Sequence, residues 1–209
     1  RASRAAERQT RWADKMETII QFNKLYVIDS LGTSDYQTGD RLVWDTLMGK
    51  ITSEHLGLEY WKAPTRDKFF GALEVVLTEC ASGSPQHYPI IHLEAHGTAD
   101  KKGISLPNGE CVLWDELAGY CRKINVASRN NLMLVCAMCH GLHAIKPISL
   151  QSITPFLVAI GPEEEVNAGE IEDGFSAFYL KVLDSQDIDA GMKELSSRFS
   201  LFLADRMFA

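Results

Sequence analysis

Residues 131–136 read Asn-Leu-Met-Leu-Val-Cys, an almost purely apolar run that is followed three residues later by Cys139. A short apolar run of this kind is typical of a central strand in a parallel sheet, because such a strand is buried on both faces. A second run of similar character, Ile90-Ile-His-Leu-Glu-Ala, ends at His96. The two stretches therefore predict two central strands, each with a reactive side chain close to its carboxyl end.

Helical and strand-like segments alternate along the rest of the chain. The strands are predicted at residues 24–28, 58–61, 90–97, 131–136 and 156–160, and the helices at residues 38–48, 66–80, 114–124 and 174–183. Asn108-Gly109 predicts a hairpin over residues 103–113, and the tail over residues 188–208 is expected to be largely helical. This alternation indicates an α/β fold, a three-layer sandwich with a mostly parallel central sheet and helices on both faces.

Composition limits the classes of partner and the compartment. The 209 residues carry a formal net charge of −7, which argues against a nucleic-acid surface. No apolar run approaches the roughly 18 residues that a membrane span needs, and the N-terminus lacks the apolar core of a signal peptide. The five cysteines are odd in number, and their spacings do not suggest a secreted disulfide scaffold. We therefore expect a cytoplasmic protein without a membrane or nucleic-acid partner.

The N-terminal stretch differs in character from the rest. Residues 3–22 carry a narrow apolar stripe at helical spacing, and four arginines crowd the start of this predicted helix. We assign residues 1–23 to an N-terminal helix or linker and residues 24–209 to one domain. The helix is expected to pack on the domain or to link it to an upstream part, and the alternative is that it docks an acidic partner. Because the first residue is Arg1, we expect a processed chain or a fragment, with an upstream regulatory domain or activator.

The residues at the two strand ends suit nucleophilic catalysis. A cysteine reacts as its thiolate and therefore needs a base nearby, which a histidine supplies near neutral pH. Neighbouring parallel strands lie about 4.8 Å apart, so His96 and Cys139 can share one crevice. Gly97 and Gly141 follow these residues closely and are expected to allow sharp turns and leave room for a substrate carbonyl. The N–H groups of Gly97 and Cys139 are candidate oxyanion donors, and this chemistry requires no cofactor.

The stretch Leu132-Met-Leu-Val-Cys-Ala-Met-Cys139-His-Gly141 resembles the nucleophile strand of caspases, whose signature is Q-A-C-x-G. His96 lies 43 positions upstream of Cys139, close to the roughly 50 of that pattern, and is followed by Gly as in the family. Residues 155–160 and 174–179 resemble the small-subunit strand and helix. The likeness runs in order from about residue 24 to residue 195.

This resemblance implies a caspase-like cysteine peptidase, a prokaryotic-type relative of caspases and metacaspases, with a His96–Cys139 dyad. It also implies a protein substrate and tight control of activity. Prokaryotic relatives often serve in cell death or antiviral defence by cutting a gasdermin-like pore-forming partner. A partner of that kind is accordingly an expectation for this chain.

Two departures from the caspase pattern concern the substrate pocket. The Gln two residues before the nucleophile is Ala137 here, and the small-subunit Arg that binds an aspartate side chain falls near Glu170. Both changes remove features that select aspartate before the cut. If Glu170 or Asp29 faces the pocket, we expect a basic or neutral residue there instead. The alternative is that the acidic run at residues 163–165 and Glu170 form only a solvated loop.

The cysteine doublet leaves other chemistries open. Cys136-Ala-Met-Cys139-His140 fits the C-x-x-C-H motif of c-type haem attachment, which requires an exported chain. With His143, the same residues form a candidate set of zinc ligands.

His92-x-Glu94 together with Cys136-x-x-Cys139 is similar to the signature of zinc deaminases, although Val135 stands where that signature has proline. The simpler interpretation of His92 is a core histidine bonded to a neighbouring strand or helix. A third class of function is a non-catalytic, caspase-like binding module.

Overall fold

Four central strands of the main sheet run parallel to one another, and their apolar residues are buried on both faces. They are β1 (Lys24–Asp29), β3 (Pro89–Glu94), β7 (Met133–Ala137) and β8 (Val158–Pro162). β2 (Gly57–Lys62) pairs parallel to β1 at one edge, and β9 (Phe199–Leu203) pairs antiparallel to β8 at the other. The strand order is β2-β1-β3-β7-β8-β9. The computed structural model describes residues 20–54, 56–149 and 151–207.

Helices cover both faces of this sheet. α3 (Arg66–Ser82) and α4 (Trp114–Ala127) bury their apolar sides in a first core cluster. The opposite face carries α1 (Thr38–Arg41), a π-helical turn (Leu42–Leu47), α2 (Met48–Glu54), α5 (Ala168–Ser185) and α6 (Ile188–Met192). All of these except α1 contribute apolar side chains to a second core cluster. The predicted α/β fold with a mostly parallel sheet between two helical layers is confirmed.

Three short strands form a second, antiparallel sheet beside the carboxyl end of β3. They are β4 (His96–Gly97), β5 (Gly103–Ser105) and β6 (Cys111–Leu113). The predicted hairpin is present between β5 and β6, where Gly109 adopts a φ of 85° that favours glycine. Because β4 begins two residues after β3 ends, this small sheet fixes the direction in which His96 leaves the main sheet.

The tail is not the largely helical segment that the sequence predicts. Only α6 and a 3-10 turn (Ala204–Met207) are helical among residues 188–207, and β9 lies between them. Phe199 packs against Phe175 of the second core cluster, whereas Phe202 packs against Phe156 of the first. Side chains that alternate between the two faces are the mark of a strand, and pairing with β8 overrides the local helical composition.

The predicted N-terminal helix over residues 3–22 lies outside the described residues except for its last three positions. Next to it, the Gln21 N–H donates to Asn131 Oδ1 at 3.2 Å, and the Asn23 N–H donates to the Tyr88 carbonyl at 3.1 Å. These bonds join the end of the N-terminal stretch to the domain. In the described part of the chain, no helix is both long enough and apolar enough to cross a bilayer.

Candidate active site

Strand register brings three loops to one edge of the sheet. Asp29, Glu94 and Ala137 are paired across β1, β3 and β7, so these strands end at the same level. The loops that follow carry Asp35, His96 and Cys139 respectively. These residues with potentially reactive side chains lie at the carboxyl edge of the parallel sheet, where such groups are expected in an α/β fold.

Gly97 places β4 directly against the backbone of Cys139. A side chain at position 97 would collide with the carbonyl oxygen of Cys139, and its Cβ would lie 3.7 Å from Cys139 Cβ. The structure thus sets the residue that follows His96 against the backbone of Cys139. The space opened by this glycine is filled by the Cys139 backbone rather than left for a substrate carbonyl.

The Cys139 thiol lies beside the backbone of Val166, in the loop that follows β8. Its Sγ is 3.5 Å from both the N–H and the carbonyl oxygen of Val166, so the thiol can accept from one and donate to the other. His140, with a φ of 58°, turns the chain here and donates its N–H to the Glu164 carbonyl at 3.0 Å. The side chain of Cys139 is partly exposed, as a nucleophile for an external substrate must be.

His96 is paired with an acid that the sequence analysis did not identify. Its Nε2 donates to Asp35 Oδ2 at 3.0 Å, and this carboxylate also accepts the Gly32 N–H at 2.7 Å. The Gly32 N–H, with a further contribution from His96, lowers the pKa of the Asp35 carboxyl below its usual value. In the described part of the chain, no hydrogen bond joins the His96 ring to Cys139 Sγ. Asp35 follows a parallel strand, β1, and the rule that reactive groups lie at the carboxyl ends of such strands could have indicated it.

The N–H groups of Gly97 and Cys139, which the sequence predicts as oxyanion donors, can be followed through the backbone hydrogen bonds around them. The Thr98 N–H donates to the Gly103 carbonyl at 2.9 Å, so the next pair along this ladder, Gly97 with Ile104, is of the non-hydrogen-bonded kind. The Gly97 N–H therefore points away from β5. Among the described residues, the Cys139 N–H donates to no backbone carbonyl. The role of these two N–H groups as oxyanion donors stays a prediction.

The three residues predicted to bind substrate are engaged elsewhere. Asp29 is 0% exposed and pairs with Lys62 Nζ at 2.8 Å, and Ala137 is 0% exposed within the second core cluster. Glu170 accepts from Asn167 as part of a helix cap and faces Arg198 at 3.4 Å. Asp29 and Ala137 therefore offer no surface to a substrate side chain, because each is buried within the sheet layer.

The ligand sets of the metal and haem alternatives do not converge. His92 and Glu94 point into the second core cluster, whereas Cys136 belongs to the first, on the other face of the sheet. Within the described residues, no group of three or more His, Cys, Asp or Glu side chains is arranged to hold a metal ion. Cys136 is buried, burial raises the pKa of its thiol well above the ordinary value, and Gly141 packs against its backbone. The doublet therefore pairs one core cysteine with one accessible cysteine.

Comparison with known proteins gives a structural likeness only. No family model and no curated protein matches this chain. Among solved structures it is similar to the crystal structure of the Drosophila initiator caspase Dronc, with a TM-score of 0.53 and 10% sequence identity over 78% of this chain and 67% of that one. The chain has a caspase-like fold.

Proposed function

We propose that this protein is a cysteine endopeptidase with Cys139 as its nucleophile and His96 as its acid–base group. The observation that carries the proposal is the contact of Gly97 with Cys139, which sets a partly exposed thiol beside the residue that follows a histidine. The position of this contact at the carboxyl edge of a caspase-like sheet supports it.

The proposed reaction uses groups of this chain alone. The thiol proton passes from Cys139 to His96, the thiolate attacks a peptide carbonyl, and His96 returns the proton to the leaving amine. The N–H groups of Gly97 and Cys139 stabilise the oxyanion, and water then releases the acyl-enzyme. Because Sγ contacts the Val166 peptide, a substrate must displace this contact to reach the thiol.

The wider setting is proposed on the resemblance to caspases. We place the enzyme in the cytoplasm, with a protein substrate such as a gasdermin-like pore-forming partner and an upstream regulatory domain or activator. Such a role in cell death or antiviral defence requires that cleavage be limited to few sites. A proteome-wide profile of new N-termini, produced by active and inactive enzyme, tests this setting.

The chemistry is tested by a matched pair of cysteine variants on a peptide library. Cys139→Ala is expected to abolish cleavage. Cys136→Ala is expected to leave it within about threefold, because Cys136 is a buried core residue whose truncation affects mainly packing. Loss of cleavage in both variants with the fold intact would support a role for the doublet as a pair. If the parent protein cuts no peptide, and the parent and both variants bind a partner protein equally well, the non-catalytic binding module is supported instead.

A further inference from the structure

We infer that Asp35 is a positioning residue that acts on Cys139 through His96, which makes the dyad an Asp–His–Cys relay. The inference rests on the proposed peptidase function and adds to it a third group from a different loop. Its basis is the 3.0 Å contact between Asp35 Oδ2 and His96 Nε2, two side chains that lie 61 residues apart in the sequence.

The loop that carries Asp35 is held on both sides. Gln37 Nε2 donates to the carbonyls of Gly32 and Asp35, at 2.7 and 2.8 Å, and closes the loop on itself. Lys62 Nζ donates to Gln37 Oε1 at 2.6 Å, and Lys62 is itself paired with the buried Asp29. The loop that presents the Asp35 carboxylate to the His96 ring is thus tied to the sheet through Gln37 and Lys62.

This contact decides which nitrogen of His96 acts as the base. With the proton on Nε2 donated to Asp35, the neutral ring keeps its lone pair on Nδ1. The thiol proton of Cys139 then moves to Nδ1, which leaves a thiolate and an imidazolium, while Asp35 remains a carboxylate. The negative charge next to Nε2 stabilises that imidazolium and so favours the thiolate form of Cys139.

The ionisation of Asp35 agrees with this role. The Gly32 N–H, donating to the Asp35 carboxylate, lowers the pKa of that carboxyl, so the group is charged at any pH near neutrality. About a third of the Asp35 side chain is exposed, as is about two thirds of the His96 side chain. Solvent screening therefore limits the effect to that of a surface charge pair.

The test measures alkylation of Cys139 by iodoacetamide, which needs a thiolate but no proteolysis. Asp35→Asn keeps the size of the side chain and removes its charge, and Asp100→Asn removes an equal charge from the loop after β4. Cys111→Ser in every form removes the other accessible thiol.

We expect Asp35→Asn to slow alkylation about three- to tenfold at pH 6.5, and Asp100→Asn to leave it unchanged. At pH 9.5 the Asp35→Asn and parent rates should converge, because a free thiol ionises there unaided. Asp35→Glu should recover part of the rate at pH 6.5.

The pH dependence separates positioning from a structural role. Slowing by the same factor at both pH values would mean that Asp35 only shapes the loop, and an unchanged rate at pH 6.5 would overturn the inference outright. Peptide hydrolysis is measured on the same variants. If peptides are cut and Asp35→Asn alkylates as the parent does, the positioning role fails and the peptidase stands. If nothing is cut but the pH-dependent slowing is present, the relay stands and the peptidase fails.

Discussion

The protein has two histidine–acid pairs whose histidines lie only four positions apart in the sequence, and the two pairs differ in burial and in the number of engaged ring nitrogens. His92 contacts Glu94 at 2.9 Å and is fully buried, whereas His96 contacts Asp35 at 3.0 Å and is largely exposed. Both ring nitrogens of His92 are engaged, because Nδ1 also meets the hydroxyl of Tyr179 at 3.0 Å. His96 has one nitrogen engaged and one left for a proton.

The comparison indicates that two properties distinguish a structural histidine from a candidate catalytic one: the burial of its side chain and the number of ring nitrogens that are hydrogen-bonded. Glu94 accepts a further hydrogen bond from Thr38 at 2.6 Å, so the His92 pair belongs to a closed buried network. Such a network specifies the packing of β3 against α1 and α5. The pair formed by His96 and Asp35 opens instead toward solvent and the Cys139 turn.

The largest contrast is expected in activity. His96→Ala should lower kcat/KM for peptide cleavage by about 10²- to 10³-fold, because the acid–base group is lost. Its unfolding free energy should change by less than about 0.5 kcal/mol, since the side chain is exposed. Peptide kinetics and denaturant unfolding on one preparation measure both effects. Full activity in this variant would remove His96 from the mechanism.

The reverse pattern is expected at the buried pair. His92→Ala should destabilise the protein by about 3 kcal/mol, because it leaves Glu94 and Tyr179 buried without their partner. Activity per folded molecule should stay within a few-fold of the parent, provided that the assay temperature keeps the variant folded. Urea unfolding monitored by fluorescence measures the loss. If His92→Ala were as stable to unfolding as His96→Ala, the assignment of a structural role to the His92 pair would be wrong.

Thiol labelling sharpens the same contrast between interior and edge. Cys139 and the exposed Cys111 should react with a thiol reagent at pH 8 at least tenfold faster than Cys121 and Cys136. Burial raises the pKa of the Cys121 thiol to about 12, which leaves almost no thiolate at this pH. Mass spectrometry of the labelled peptides assigns each site. If Cys136 were labelled as fast as Cys139, the assignment of Cys136 to the core and of Cys139 to the accessible edge would be wrong.

The smallest effect concerns the stability contributed by the exposed pair. The pKa of Asp35 is lower in the folded chain than in the unfolded one, so its contribution is present above about pH 4 and is lost as pH falls through the folded value. Asp35→Asn should therefore lose a few tenths of a kcal/mol at pH 6 and nothing near pH 2. Unfolding of this variant and of the exposed control Asp45→Asn at both pH values measures the difference. If Asp35→Asn lost more unfolding free energy near pH 2 than at pH 6, the direction assigned to the pKa shift of Asp35 would be wrong.

The sequence predicted the sheet and the edge at which the site lies, because strand patterns depend on local composition. His96, Gly97 and Cys139 follow from the rule that reactive groups sit at the carboxyl ends of parallel strands. Asp35 and Val166 were missed because they lie in loops without a periodic pattern, where position depends on tertiary contacts. Asp29 was misjudged for a related reason: its partner Lys62 lies on a neighbouring strand, and only the register reveals the pair.

The fit of Gly97 against Cys139 also bears on how the molecule moves. With no side chain between them, β4 and the Cys139 turn are in backbone contact and are expected to shift as one body. On its other side the Cys139 turn is joined to the loop with Val166 by the His140 N–H, which donates to the Glu164 carbonyl at 3.0 Å, and by two longer contacts of Sγ with the Val166 backbone. Hydrogen exchange should accordingly be faster at the Val166 N–H, whose partner is a sulfur atom at 3.5 Å, than at the His140 N–H, whose partner is a carbonyl oxygen.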